Sequence, residues 1–175
     1  MVVITISGPH GAGKSTYAKA IADALNLKYV SSGQTFRKLA KESGCNLETF
    51  SKQCEKNKEI DKKIDQLTIE EAKTGNVVLE GQLAAWMAQQ FSNFNIYITA
   101  SLDTRVKRIA ERDGTDYKKA KKETIARTDS ELKRFQKMYE LDVKQKHIYD
   151  LILNTDRLPI EKCTEILIAA CRLID

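Results

Sequence analysis

The chain reads as an α/β protein: a three-layer α/β/α arrangement around a five-stranded parallel sheet. Short β-branched segments, apolar on both faces, alternate with longer stretches of helical periodicity. A glycine-rich turn directly follows the first of these segments and opens the first helical stretch. With 175 residues and no internal repeat or linker rich in glycine or proline, one domain spanning 1–175 is expected.

Val2–Ile6 is the first buried strand. The helix after the turn carries Ala18, Ile21, Ala22 and Leu25 at helical spacing. Lys28–Ser31 reads as a second strand ending in a Ser32-Gly33 turn. From about 34 to 73 the chain is helical and charged, with one apolar stripe at Phe36, Leu39 and Ala40 and another at Ile60, Ile64 and Leu67. Val77–Leu79 and Asn95–Thr99 are the next strands, a basic helical region runs from Asp103 to about Met138, and Tyr149–Asn154 is the fifth strand. A closing amphipathic helix begins beside Pro159 and carries Ile160, Cys163, Leu167, Ala170, Cys171 and Ile174.

A net charge of +5 suits an anionic partner, whether nucleotide, nucleic acid or acidic lipid. Cys45, Cys54, Cys163 and Cys171 show no metal or redox spacing, and Cys163 and Cys171, eight apart in an apolar pattern, are expected to be buried free thiols. The chain shows no basic leader or long apolar run, which implies a soluble, cytoplasmic protein without a membrane partner.

Gly8-Pro9-His10-Gly11-Ala12-Gly13-Lys14-Ser15 fits G-x-x-x-x-G-K-[ST], and Thr16 follows it. The motif lies where its mechanism requires, between a buried strand and an amphipathic helix. Glycines let backbone N–H groups wrap an anion, and the helix start adds positive potential. Lys14 can reach the β- and γ-phosphates, and the Ser15 hydroxyl can ligate Mg²⁺. His10 is expected to act as a spacer. The fold class is therefore that of the P-loop NTPases, with small helical acceptor-binding (about 34–73) and lid (about 109–125) segments.

Other features favour a kinase. No Asn-Lys-x-Asp segment is present to read guanine, as a GTPase would need. The third strand ends in Glu80-Gly81, where a carboxylate can hold a magnesium-bound water, orient an acceptor, or simply end the strand in solvent. Arg105, Arg108 and Arg112 share one helical face, and three like charges there call for an anion between them.

These segments resemble the cytidylate kinases, in particular the archaeal type acting on CMP and dCMP. The resemblance covers nearly the whole chain. It rests on Gly8 to Thr16, Ser31 to Arg37, Leu79 to Ala84, Arg105 to Arg112 and Tyr149 to Thr155. Bacterial relatives carry R-D-x-x-D-x-x-R; here Arg127, Glu131 and Arg134 match that spacing, with Glu in place of Asp. The resemblance implies ATP and Mg²⁺ as cofactors and CMP or dCMP as acceptor. Arg37, with Ser32 and Gly33, would grip the acceptor phosphate. Arg108, Arg112 and Arg127 would close on the transferring group beside Lys14. Arg105, Glu80, Gly81, Gln82, Glu131 and Arg134 would serve the acceptor. Many relatives carry Arg where this chain has Gln82, so one positive charge is missing from the acceptor site. Asp61 and Asp65, one helical turn apart, could read sugar or base or be ordinary surface charge.

Adenylate, uridylate, dephospho-coenzyme A and sugar-acid kinases remain alternatives, as does a nucleotide-dependent RNA-binding or assembly protein. The lysine pairs Lys118-Lys119 and Lys121-Lys122 lack the interleaved aromatics of a single-strand platform, so a nucleic-acid partner is not expected. A monomer is.

Overall fold

The computed structural model describes residues 1–143 and 145–174, without the side chains of Glu48 and Lys56. Its strands are β1 (Val3–Ser7), β2 (Lys28–Ser31), β3 (Val77–Glu80), β4 (Phe94–Thr99) and β5 (Leu151–Asn154). All pair in parallel, in the order β2-β3-β1-β4-β5. The helices are α1 (Lys14–Leu25), α2 (Ser32–Glu42), α3 (Leu47–Lys56), α4 (Glu59–Thr74), α5 (Ala84–Met87), α6 (Leu102–Asp113), α7 (Tyr117–Tyr139) and α8 (Ile160–Cys171). The predicted three-layer fold is present, and none of these helices is long and apolar enough to cross a membrane.

Alternation along β1 splits its side chains between two layers. Ile4 and Ile6, fully buried, pack with Ala18 and Ile21 of α1 and with Cys163, Leu167 and Cys171 of α8. Val3 faces the other way, packing with Val77, Leu79, Ala72 of α4 and Ala84 of α5. Burying each such aliphatic side chain contributes about 1.5–3 kcal/mol. A third, smaller core, formed by Phe36, Ala40, Phe50, Cys54 and Ile64, binds α2, α3 and α4 to one another. The charged stretch 34–73 thus has a core of its own. All four cysteines are free, Cys163 and Cys171 buried as expected, Cys54 buried and Cys45 half-buried.

One local expectation is corrected. Ser32 and Gly33 form no turn; they open α2, because the Ser31 side chain caps it by accepting the Gln34 N–H at 3.2 Å. The basic helical region from Asp103 to about Met138 is made of two helices. Gly114 ends α6 in the left-handed conformation (φ 61°), and Asp116 starts α7 by accepting the Lys119 N–H. This break lies inside the segment 109–125 expected to be the lid.

Candidate active site

β1 and β3 end side by side, with Ile6 opposite Glu80. Their carboxyl ends open into a cavity of about 950 Å³, walled by the glycine-rich loop, α2, α4, α6 and α7. The loop is shaped by positions that reject a side chain. At Gly8 (φ 142°) a Cβ would lie 2.0 Å from the Ile98 carbonyl oxygen, and Gly13 caps α1 in the left-handed region at φ 97°. Lys14 folds back over the loop and donates to the Pro9 carbonyl at 3.1 Å, leaving its ammonium over the concavity. Burial pushes its pKa down, while Glu80 and Glu131 pull it back up.

Glu80 is 5% exposed. Three hydroxyls converge on its Oε2: Ser15 at 3.2 Å, Tyr29 at 3.1 Å and Ser31. A hydroxyl and a carboxylate from opposite sides of the loop thus meet as hard oxygen donors, the set that Mg²⁺ takes when phosphates and waters complete its shell. Tyr29 and Ser31 went unnoticed in the sequence. Their i, i+2 spacing on a strand was the available signal, since it places both on one face of β2.

Ser32, Gly33, Arg37, Gly81 and Gln82 also line the cavity. Arg37 makes no hydrogen bond or ion pair among the described residues. Its environment is set first by burial, then by Glu80 and the nearby Arg112 and Arg127. Arg127 donates to Glu131 Oε1 at 3.0 Å.

Glu131, 5% exposed, is joined to the loop itself: His10 Nε2 lies 2.6 Å from its Oε2, and Gln82 donates to the same atom. Burial alone would raise the Glu131 pKa, yet His10, Arg127 and Gln82 hold it well below the usual carboxylate range. Burial lowers the pKa of His10 while Glu131 raises it, and a His10 ring that carries its proton on Nε2 donates to the carboxylate. The His10 side chain is therefore more than a spacer: it ties the loop to α7. No local pattern marks a contact between residues 121 positions apart.

The arginines of α6 divide. Arg112 stands at the cavity rim, paired with Asp113 at 2.7 Å. Arg108 lines the cavity but spends its N–H groups on Ala12 O, Thr155 Oγ1 and Thr155 O. Arg105 is absent from the cavity wall; it donates to the carbonyls of Ala100 and His10, bracing the loop from behind, which corrects its expected acceptor contact. A shared helical face did not give the three a common target: Arg105 and Arg108 bond to the loop and to backbone beyond β4 and β5, while Arg112 pairs with its neighbour Asp113.

Asp61 and Asp65 of α4 and Arg134 of α7 also line the cavity, with Arg134 Nε 3.2 Å from Asp61 Oδ2. Arg134 donates to Ser51 O and Oγ at 3.0 Å, and Tyr139 donates to Asp65 Oδ2. Of the expected site, Lys14, Ser15, Thr16, Arg37, Glu80, Gly81, Gln82, Arg127, Glu131, Arg134 and Asp65 do share one cavity.

Known proteins agree with this architecture. Among solved structures, an uncharacterized protein from Eubacterium ventriosum superposes at a TM-score of 0.73 with 20% identity, covering 99% of each chain. A shikimate kinase from Bacteroides thetaiotaomicron reaches 0.63 with 18% identity, covering 98% of this chain and 99% of its own. At those identities they show the fold alone. Closer in sequence are proteins named cytidylate kinase. The one from Ignicoccus hospitalis is 45% identical over 94% of this chain and 96% of its own. That from Staphylothermus marinus is 46% identical over 95% and 94%, and that from Methanocaldococcus jannaschii 44% over 91% and 92%. The profile of the cytidylate kinase-like family matches residues 3–157, from the first strand past the fifth, and the chain belongs to that family.

Proposed function

We propose that the chain transfers the γ-phosphoryl group of ATP to CMP or dCMP, giving ADP and CDP or dCDP. One observation carries the reading: a single cavity runs from Lys14 and Ser15, the donor-phosphate corner, to Arg37 and Arg127, cations placed to meet an acceptor phosphate. The names of the curated relatives supply the acceptor's identity.

In the proposed reaction an oxygen of the acceptor phosphate attacks the γ-phosphorus. The bond from that phosphorus to the β–γ bridging oxygen breaks, and its electron pair leaves with ADP. The acceptor phosphate is already largely ionised near neutrality, since its second pKa is about 6, so no general base is required. The protein's tasks are alignment and charge neutralisation. Backbone N–H groups of the non-proline residues between Gly8 and Thr16 cradle the donor phosphates, and Lys14 bridges the β- and γ-phosphates. Arg37, at the start of α2, holds the acceptor phosphate; Arg127 and the rim Arg112 neutralise the travelling group once Arg112 leaves Asp113. Ser15, with Glu80 through a water, would hold Mg²⁺, which supplies charge neutralisation on the donor phosphates.

Water competes as acceptor, so the cavity must close before transfer. The α6–α7 junction at Gly114 is the candidate hinge of the lid, and α2–α4, with their own core, are the candidate acceptor-closing body. The enzyme is proposed to act as a cytoplasmic monomer on free nucleotides. The test is ADP release from ATP with a panel of acceptors. Release stimulated by CMP and dCMP, and far less by AMP, shikimate or gluconate, is the expected result. Release indifferent to every acceptor would overturn the reading.

A further inference from the structure

Glu131 sets a carboxylate among the very cations proposed to serve phosphate. It is 5% exposed and shares the cavity wall with Lys14 and Arg127. Burial raises its pKa, but His10, Arg127 and Gln82 outweigh burial, so the group is ionised. Its charge in turn opposes the burial that lowers the Lys14 pKa. An anion in this place is a rival to the substrate, because a carboxylate accepts from ammonium and guanidinium groups much as a phosphate does. Yet among the described residues no ion pair joins Glu131 to Lys14. Arg127 donates to it through Nε alone, 3.0 Å from Oε1, which leaves both terminal guanidinium nitrogens without a protein acceptor.

The restraint comes from two side chains on the other oxygen. His10 Nε2 lies 2.6 Å from Oε2, and Gln82 donates to the same atom. An imidazole protonated only on Nδ1 would set a lone pair against an ionised oxygen at that distance, so the proton sits on Nε2. That nitrogen then has no lone pair for the Gln82 amide nitrogen, 2.8 Å away, whose N–H goes to Glu131 instead. His10 is also braced at its backbone, where the carbonyl oxygen accepts from Arg105 of α6 at 3.1 Å.

We propose that His10 is a positioning residue: by occupying Oε2 of Glu131 it keeps this carboxylate from capturing the Lys14 ammonium or the terminal nitrogens of Arg127, so that both cations stay available to the transferring phosphoryl group. The inference rests on the phosphoryl transfer proposed above. Without a donor in that place the buried carboxylate has an underused oxygen, and a further bond to Lys14 or Arg127 is the nearest compensation. Such a bond must break before the cation can follow charge onto the phosphoryl oxygens, so the loss falls on turnover.

The experiment measures kcat at saturating ATP and CMP for the wild type, His10→Gln and His10→Asn, each also in a Glu131→Gln background, with folding checked by circular dichroism. Glutamine carries a donor nitrogen as many bonds from Cβ as histidine Nε2, whereas asparagine stops short of it. His10→Asn should lower kcat by about 10- to 100-fold, the value of a hydrogen bond to a buried charge. His10→Gln should recover most of that loss. In the Glu131→Gln background, where no charge needs restraint, His10→Asn should cost less than about twofold more. Equal losses in the two backgrounds would mean that His10 only shapes the loop, and would overturn the inference. So would a kcat unchanged by His10→Asn, or a His10→Gln variant as slow as His10→Asn, while CMP phosphorylation stands. If His10→Asn does not fold, His10→Ala supplies the same comparison. A wild type without CMP-stimulated turnover overturns the inference together with the proposed function.

Discussion

The loop corner and the α4–α7 wall bind opposite ends of one cavity and are built in opposite ways. Residues 8–16 are contiguous, and their main feature is backbone: glycines that admit a path no side chain tolerates, and amides aimed inward. The α4–α7 wall is assembled from side chains more than 70 positions apart, including Asp61 with Arg134, Asp65 with Tyr139, and Ser51 with Arg134. A backbone device confines its requirements to a short motif. A side-chain device scatters them, and individual residues can be exchanged while the partners adjust. The loop end is accordingly the more local of the two devices, and the α4–α7 end the more dispersed.

Substitution can break this contrast. The largest effect is expected at the loop. Lys14→Ala removes the cation aimed at the transferring group, and turnover should fall on the order of 1,000-fold or more, read as ADP release at saturating CMP. Comparable loss from an acceptor-wall variant such as Arg134→Lys, without loss of fold, would erase the distinction. Next is Glu80→Gln, which keeps a partner for the Tyr29 and Ser31 hydroxyls but loses the charge beside Ser15. Magnesium affinity, measured by Mn²⁺ competition in the presence of ATP, should weaken by about 10- to 100-fold.

Arg37→Ala should act on one substrate alone. The KM for CMP should rise by about one to two orders of magnitude, the value of hydrogen bonds to a charged group, while ATP binding changes little. Equal loss for both ligands would refute its assignment to the acceptor phosphate.

The sequence carried the sheet order's ingredients, the loop and the cavity's cations, because periodicity and a contiguous motif are local properties. It missed what depends on geometry between elements. Nothing in His10 itself points to Glu131, and Arg105, Arg108 and Arg112 looked equivalent on one helical face although their targets differ. The Ser32-Gly33 pair looked like a turn because serine and glycine favour turns, whereas the Ser31 cap made them the start of α2.

The smaller expected effects concern stability. His10→Ala leaves Glu131 buried with one donor fewer, and should cost about 1–3 kcal/mol in urea denaturation. Asp65 behaves in the opposite sense. Its folded-state pKa is raised to about 6, so ionisation opposes folding, fully so above that value and not at all below the ordinary aspartate pKa. Asp65→Asn should therefore raise Tm at about pH 8, and the gain should disappear by about pH 4. A Tm gain independent of pH would mean that the carboxylate's charge is not its cause.

The most direct test of the shared cavity is a crystal structure with CMP and a non-hydrolysable ATP analogue bound together. The account predicts the triphosphate against Lys14 and the N–H groups of the loop between Gly8 and Thr16, the CMP phosphate at Arg37, and the cytosine ring toward α4. A polyphosphate remote from Gly13, or a cytosine ring turned toward the loop with its phosphate at α4, would contradict it.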